Sequence, residues 1–367
     1  MKNKKIWFLL SLSCILSGAF LMLAGTLFSG IPGFYLDRSG IHTSKEAAEH
    51  KLNTFHDTTE LDAFDSLELK ISYAEDVELI PSDHYAVEYR ISGILEEPVC
   101  KVENGRLIFQ ETPSFPYNDA RIWFLYTEPG SSYAREPEPG PYYVKIEYPA
   151  DQHFTDVVIR MESGNLKLPA MKTDTLDIRN DYGNVSLESY AGNALDLYLS
   201  SGNLTAGTVT AEQAQLKNEY GNVSLEHYMG KSLEIRMSSG ELSLGSAETE
   251  QTEILNEYGD VLISQASGGS LTAELDSGSF LSDRLDFHDL KVKNEYGTIR
   301  VRLPGEISGY SCQLQTEYGS ILLDGKRIIN NDQDENENEI FYTSDGSNGK
   351  TVDISCDSGD IIIDPAS

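Results

Sequence analysis

Apolar and polar residues alternate with a period of two through the second half of this chain, and glycine punctuates the alternation at a fixed interval. Glycines fall at Gly164, Gly183, Gly202, Gly221, Gly240, Gly259, Gly278 and Gly297, nineteen residues apart each time, with looser continuations at Gly319 and Gly359. Two residues after the glycine stand Leu166, Val185, Leu204, Val223, Leu242, Val261, Phe280, Ile299, Ile321 and Ile361; five before it stand Ile178, Leu197, Leu216, Ile235, Ile254, Ala273, Val292, Leu314 and Ile354. Such alternation around a glycine reads as strand, tight turn and strand, with both apolar columns facing one core. Glycine suits the turn because it tolerates positive φ and lets backbones approach closely. A strict repeat of this length predicts an all-β fold, a parallel β-helix or β-solenoid built from 19-residue units.

The units come in two alternating kinds. Before the glycine the residue is Ser163, Tyr182, Ser201, Tyr220, Ser239, Tyr258, Ser277 and Tyr296 in turn, so close identity recurs every 38 residues. Three before it, Asn180, Asn218, Asn256 and Asn294 alternate with Leu199, Met237 and Leu275, at the parity of the inward positions. A buried Asn needs partners for its amide, and identical Asn side chains stacked on successive strands, about 4.8 Å apart, form a ladder that satisfies them. That reading predicts coils of 38 residues, one Ser-type and one Tyr-type half to each. The alternative is that each Asn bonds local turn backbone instead. Cys312 falls in the column of Leu176 and Leu195, and Cys356 in that of Leu199 and Met237, so both read as buried thiols.

Outside the repeats the pattern changes several times. Ile6 to Ser29 is uncharged, long enough as a helix to cross a hydrocarbon core, and longer than the apolar part of a cleaved signal peptide. It is expected to be a transmembrane helix, with residues 1–5 as a cytoplasmic tail because Lys2, Lys4 and Lys5 precede it, and everything after it outside the cell. Residues 30–60 read as a spacer. Residues 61–160 carry irregular strands expected to cap one end of the solenoid, interrupted at 113–141 by a Pro-rich excursion. Its aromatics Phe115, Tyr117, Trp123, Tyr126 and Tyr133 make it a candidate recognition loop. Residues 161–365 are the repeats, with a strongly polar stretch at 325–350 expected to be a solvated loop.

Charge and chemistry then narrow the function. A formal net charge of −31 argues against nucleic acid as a partner, since phosphate is recognised through Lys and Arg. An acidic column at Asp181, Glu219, Glu257, Glu295 and Glu317 follows Arg179, Lys217 and Lys293 by two residues, so local salt bridges explain it without a metal. No nucleophile elbow, zinc-protease or phosphate-cradling motif occurs, and the seven His are scattered, so no catalytic residue, cofactor or metal is expected.

The segments DSLELKISYAEDVELIPSD, VENGRLIF and YVKIEYPA, followed by VVIRMESGNLKL and the recurring SGNL, NEYGNVSL and NEYGDVLI units, resemble a bacterial putative-adhesin family of β-strand-repeat proteins of unassigned function. The resemblance spans roughly Leu61 to Asp364 and implies a β-helical ectodomain behind a membrane helix, with no catalytic residues to carry over. The expected function is a membrane-anchored extracytoplasmic module, noncatalytic, that binds or scaffolds in the cell envelope, with an envelope glycan or protein as ligand. The alternative expectation is an accessory of envelope-stress signalling that acts on a membrane partner.

Overall fold

In a parallel sheet each strand must superimpose on the next at about 4.8 Å, so the length of one coil is read directly from the pairing register. In the computed structural model, which describes residues 15, 17–18, 34–37, 40–43, 53–72, 74–94, 96–111, 122–124, 140–329 and 339–366, that offset is nineteen. Leu166 pairs with Val185, Val185 with Leu204, Leu204 with Val223, and the same step carries on to Phe280. The coil therefore holds one unit, not the two that the 38-residue identity suggested.

A single unit closes a full turn because its alternation slips twice. Leu166 and Leu168 point inward, then Met171 and Thr173, then Leu176, Ile178 and Asn180; all are buried. Between these runs stand two consecutive outward positions, 169–170 and 174–175. For the inward side chains to stay inward the chain must bend at each slip, and the glycine turn supplies the third corner. Every column of the core is thus filled by one side chain per coil, and each buried Leu, Ile or Val contributes roughly 1.5–3 kcal/mol. Where a coil sends Tyr190 or Tyr228 inward, the position two residues on is Gly192 or Gly230. The tyrosine hydroxyl lies 2.4 or 2.6 Å from where that glycine's Cβ would be, and it donates to the carbonyl of Ala194 or Ser232.

The chain divides into two compact units: residues 1–54, 92–97 and 112–140, and residues 55–91, 98–111 and 141–367. In the first, Phe34–Asp37 pairs antiparallel with both Gly40–Thr43 and Ile122–Phe124. The segment expected to be a spacer therefore contains strands, Phe34–Asp37, Gly40–Thr43 and Asn53–Glu60, the first of which also pairs with a strand far along the chain. Of the expected transmembrane segment only Ile15, Ser17 and Gly18 are described, and they are helical. Among the described residues no helix is long and apolar enough to cross a membrane.

The coils form one continuous sheet, twenty-two strands among the described residues. Chain order and spatial order part company at both ends. Toward the C-terminus, Thr351–Ser358 pairs with Asp289–Tyr296 on one side and with Ser311–Tyr318 on the other, so the last strands in sequence sit one coil inside the end of the stack. Toward the N-terminus, His153–Met161 stacks on Ser66–Ile71, which stacks in turn on Arg106–Gln110. Each end is closed by antiparallel strands, Ile340–Ser344 at one and Val99–Glu103 at the other, which occupy backbone groups that would otherwise template association. The polar stretch expected to be a solvated loop therefore supplies a capping strand; its acidic residues at 332–337 lie outside the described residues.

The turn glycines are held by two constraints at once. Gly221 has φ +136°, and a Cβ there would stand 2.1 Å from the Gly202 carbonyl oxygen beneath it. Gly221→Ala is expected to destabilise the domain by about 1–3 kcal/mol from backbone strain alone, with the clash added. A lowered urea midpoint checks this.

Candidate functional site

The turn edge of the stack is where the two kinds of unit differ, and it presents the same short list of residues coil after coil. On its inner side stands the Asn column. Because the register is nineteen, Asn180 pairs with Leu199 and Asn218 with Leu199 and Met237, so no Asn lies on another Asn and the expected ladder does not form. Each amide bonds turn backbone instead. Asn180, Asn218, Asn256 and Asn294 donate from Nδ2 to the carbonyls of Gly164, Gly202, Gly240 and Gly278, at 2.9, 3.0, 3.3 and 2.8 Å. These glycines belong to the Ser-type turn one coil below. The Oδ1 atoms of all four are buried without a hydrogen-bond partner, a penalty of about 1–3 kcal/mol each.

The spatial order explains the two departures in this column near the C-terminus. Cys356 stands between Asn294 and Thr316, so polar and apolar members still alternate through the stack although they do not along the sequence. Thr316 Oγ1 donates to the Gly359 carbonyl at 3.0 Å, doing what Asn does elsewhere. At the opposite end Glu111, the next residue after the strand Arg106–Gln110, is buried and accepts from the backbone N–H groups of Ser72 and Ala74.

An asparagine ladder does exist, on the outer side of the turn. Asn165 Oδ1 accepts from the Asn184 backbone N–H at 3.1 Å, Asn184 from Asn203 at 2.9 Å, Asn203 from Asn222 at 2.9 Å, and Asn222 from Glu241 at 2.9 Å. Asp260 continues it by accepting from Ser279. Where Asn or Asp follows the glycine, its side chain thus satisfies the turn N–H of the next coil, which the glycine's own geometry leaves out of the sheet ladder.

Beside that ladder runs a row of tyrosines. Tyr182, Tyr220, Tyr258, Tyr296 and Tyr318 are each between 60 and 66% exposed, and the serines of the intervening coils separate them. Among the described residues none of the five makes a ring contact or a side-chain hydrogen bond. The sequence displayed this alternation plainly; what it lacked was the nineteen-residue register that lines the rings up two coils apart.

Ion pairs hold the neighbouring face. Arg179 meets Asp181 at 3.5 Å and Lys217 meets Glu219 at 3.8 Å, as the spacing suggested, whereas Lys293 makes no ion pair with Glu295 among the described residues. Arg236 pairs with Glu234 and Glu253, and its hydrogen bond holds the Glu234 carboxyl below the usual range. Tyr198 lies under Arg179 and Lys217 and donates to Glu219, which pushes its own hydroxyl pKa up. Glu257, Asp276, Glu295, Asp357 and Glu317, further along the same edge, have no Lys or Arg within ion-pair distance among the described residues. Of the five candidate recognition aromatics only Trp123 is described; its backbone pairs with Tyr35. Phe115, Tyr117, Tyr126 and Tyr133 lie outside the described residues.

Reactive chemistry is muted where it can be read. Cys100, Cys312 and Cys356 are free thiols, and burial pushes Cys100 and Cys356 up to about 11 and raises Cys312 as well. Among the described residues no group of His, Cys, Asp and Glu is arranged to hold a metal.

The sequence profile of the family described as Toastrack DUF4097 matches this chain twice, over residues 64–248 and 190–364. Among solved structures the chain is similar to a putative adhesin from Parabacteroides distasonis, at 14% identity with a TM-score of 0.41, over 70% of this chain and 96% of that one. A putative adhesin from Parabacteroides merdae is similar at 11% identity and a TM-score of 0.37, over 69% and 92%. A putative cell adhesion protein from Clostridium sporogenes is similar at 11% identity and a TM-score of 0.17, over 86% and 100%. No curated protein matches the chain.

Two measurements check this account of the edge. Asn218→Leu removes the orphaned Oδ1 but leaves the Gly202 carbonyl without its donor, so the two changes offset and its stability should stay within about 1 kcal/mol. Asn218→Asp should cost about 3–5 kcal/mol at neutral pH. Burial raises the new carboxyl's pKa, and its protonated form can donate to Gly202, so the deficit should be absent below the unfolded-state pKa and open as pH rises through the folded value. Urea titrations at pH 4 and pH 7 separate the two variants. In native protein at pH 8, Cys312 and Cys356 should resist iodoacetamide and react only on unfolding, read by site-resolved mass spectrometry.

Proposed function

The chain belongs to the Toastrack DUF4097 family, and from that premise we propose that it is a noncatalytic, adhesin-like binding module of the cell envelope, held at the membrane by Ile6–Ser29 with the coil stack outside. The observation that carries this reading is repetition: the exposed residues of the turn edge recur in every second coil, from Tyr182 to Tyr318. A catalytic site is a singular cluster in which a few groups are tuned against each other. A row of equivalent positions on a rigid sheet offers many weak contacts in fixed register, which suits a long or repetitive ligand. The uncharged run Ile6–Ser29 supports the anchor, and the lysines before it support the orientation.

The test is retention of the full chain, reconstituted in liposomes, on isolated envelope fragments. Retention above that of protein-free liposomes is expected, and it should survive replacement of Ile6–Ser29 by an unrelated membrane helix. Absence of retention, or its dependence on that one helix, would overturn the reading in favour of action on a membrane partner.

A further inference from the structure

The tyrosine row is an anomaly in a folded surface. Large aromatic side chains dominate binding energetics because they bury much area at little entropic cost, and a repeated exposed set marks an interaction site rather than scattered surface apolarity. Here five equivalent rings stand 60–66% exposed on one edge, and among the described residues no side-chain hydrogen bond engages their hydroxyls. Small serines in the coils between them keep the rings apart, at two strand spacings, about 9.6 Å.

That period discriminates among polymers. An extended peptide repeats its side-chain direction every two residues, about 6.6 Å, and falls out of step with the rings at once. A polyproline helix comes closer, at about 9.3 Å per turn, but its recognition needs a groove between aromatic ridges. These tyrosines form a single row with no ring contacts among them. An extended β-1,4-linked glycan presents the same pyranose face once per disaccharide, about 10 Å and so also near two strand spacings, and what favours it over polyproline is that its flat C–H face can stack on one ring alone.

Charge settles which glycan. Glu257, Asp276, Glu295 and Asp357 rim the row on one side without basic partners among the described residues. Glu241 and Asp260 stand across the turn. An anionic polysaccharide is repelled from this edge, whereas amines on the sugar gain from the carboxylates and from the ring faces together.

We infer that the Tyr182-to-Tyr318 row seats an extended β-1,4-linked amino-sugar chain bearing free amines, one disaccharide to every two coils. This rests on the binding-module reading and names its ligand class. The probes are β-1,4-linked glucosamine di-, tetra- and hexasaccharides and the N-acetylated hexasaccharide, titrated by calorimetry against the full chain in detergent micelles. Affinity should rise about two- to fivefold with each added disaccharide as another ring is reached, and it should fall with added salt. Combining Tyr258→Ala with Tyr296→Ala should abolish the gain from tetra- to hexasaccharide. Tyr258→Phe should retain most of it, and an unchanged melting temperature would confirm that these exposed variants fold.

The inference is overturned by any of four results: no binding of the hexasaccharide; equal binding of the N-acetylated hexasaccharide; affinity untouched by the double alanine variant; or tighter binding of a Lys-containing polyproline peptide. Envelope retention is scored separately. If retention persists while glucosamine binding is absent, only the ligand assignment falls; if both are absent, the module reading falls with it.

Discussion

Backbone must pass over backbone at one strand spacing on every turn of the coil, and the tightest place is the turn, where each glycine lies directly over the carbonyl of the one below. A Cβ at Gly183, Gly202, Gly221 or Gly240 would sit 1.9–2.1 Å from that oxygen. No side chain fits there, and no residue but glycine holds such φ values without strain. Everything else in the repeat follows from keeping that column straight. The inward columns come into register, the corners fall at the same two slips of alternation, and the core is filled by one residue per column per coil.

The close passage also creates a problem of unsatisfied groups, and the two kinds of unit answer it differently. The turn amide leaves the sheet ladder and is met by the Asn, Asp or equivalent side chain after the glycine below. The carbonyls of the Ser-type turns are met from inside by Asn180, Asn218, Asn256, Asn294 and finally Thr316. Polar and apolar members alternate in this inner column from Met161 to Thr316, and the alternation survives the point where Thr351–Ser358 intercalates between Asp289–Tyr296 and Ser311–Tyr318. A strand in the wrong layer would set Thr316 against Asn294 and bury two polar side chains together. The column therefore helps specify which strand occupies which layer.

Outside the coil the same periodicity organises charge and aromatic surface. Basic residues at Arg179, Lys217 and Arg236 bind the carboxylates beside them, while the carboxylates of the edge near Tyr258 and Tyr296 meet no Lys or Arg among the described residues. A chain carrying −31 overall can still present a graded edge, neutralised at one part and electronegative at another, because each column is an independent choice of residue on a fixed scaffold.

The glycine interval, the inward columns, the strand content and the places of Cys312 and Cys356 were all legible in the sequence, since each depends only on local parity and on a repeat that must satisfy the same geometry every time. The size of the coil was not: identity every 38 residues describes which units resemble each other, whereas pairing is decided by how few residues the chain needs to bend back on itself. The pairing of Phe34–Asp37 with Ile122–Phe124, the interleaved end and the alignment of the tyrosines depended likewise on partners far along the chain. Local patterning fixed what each residue does within its own strand; only the closed stack decided which residues meet, because contact across coils is set by register and not by sequence distance.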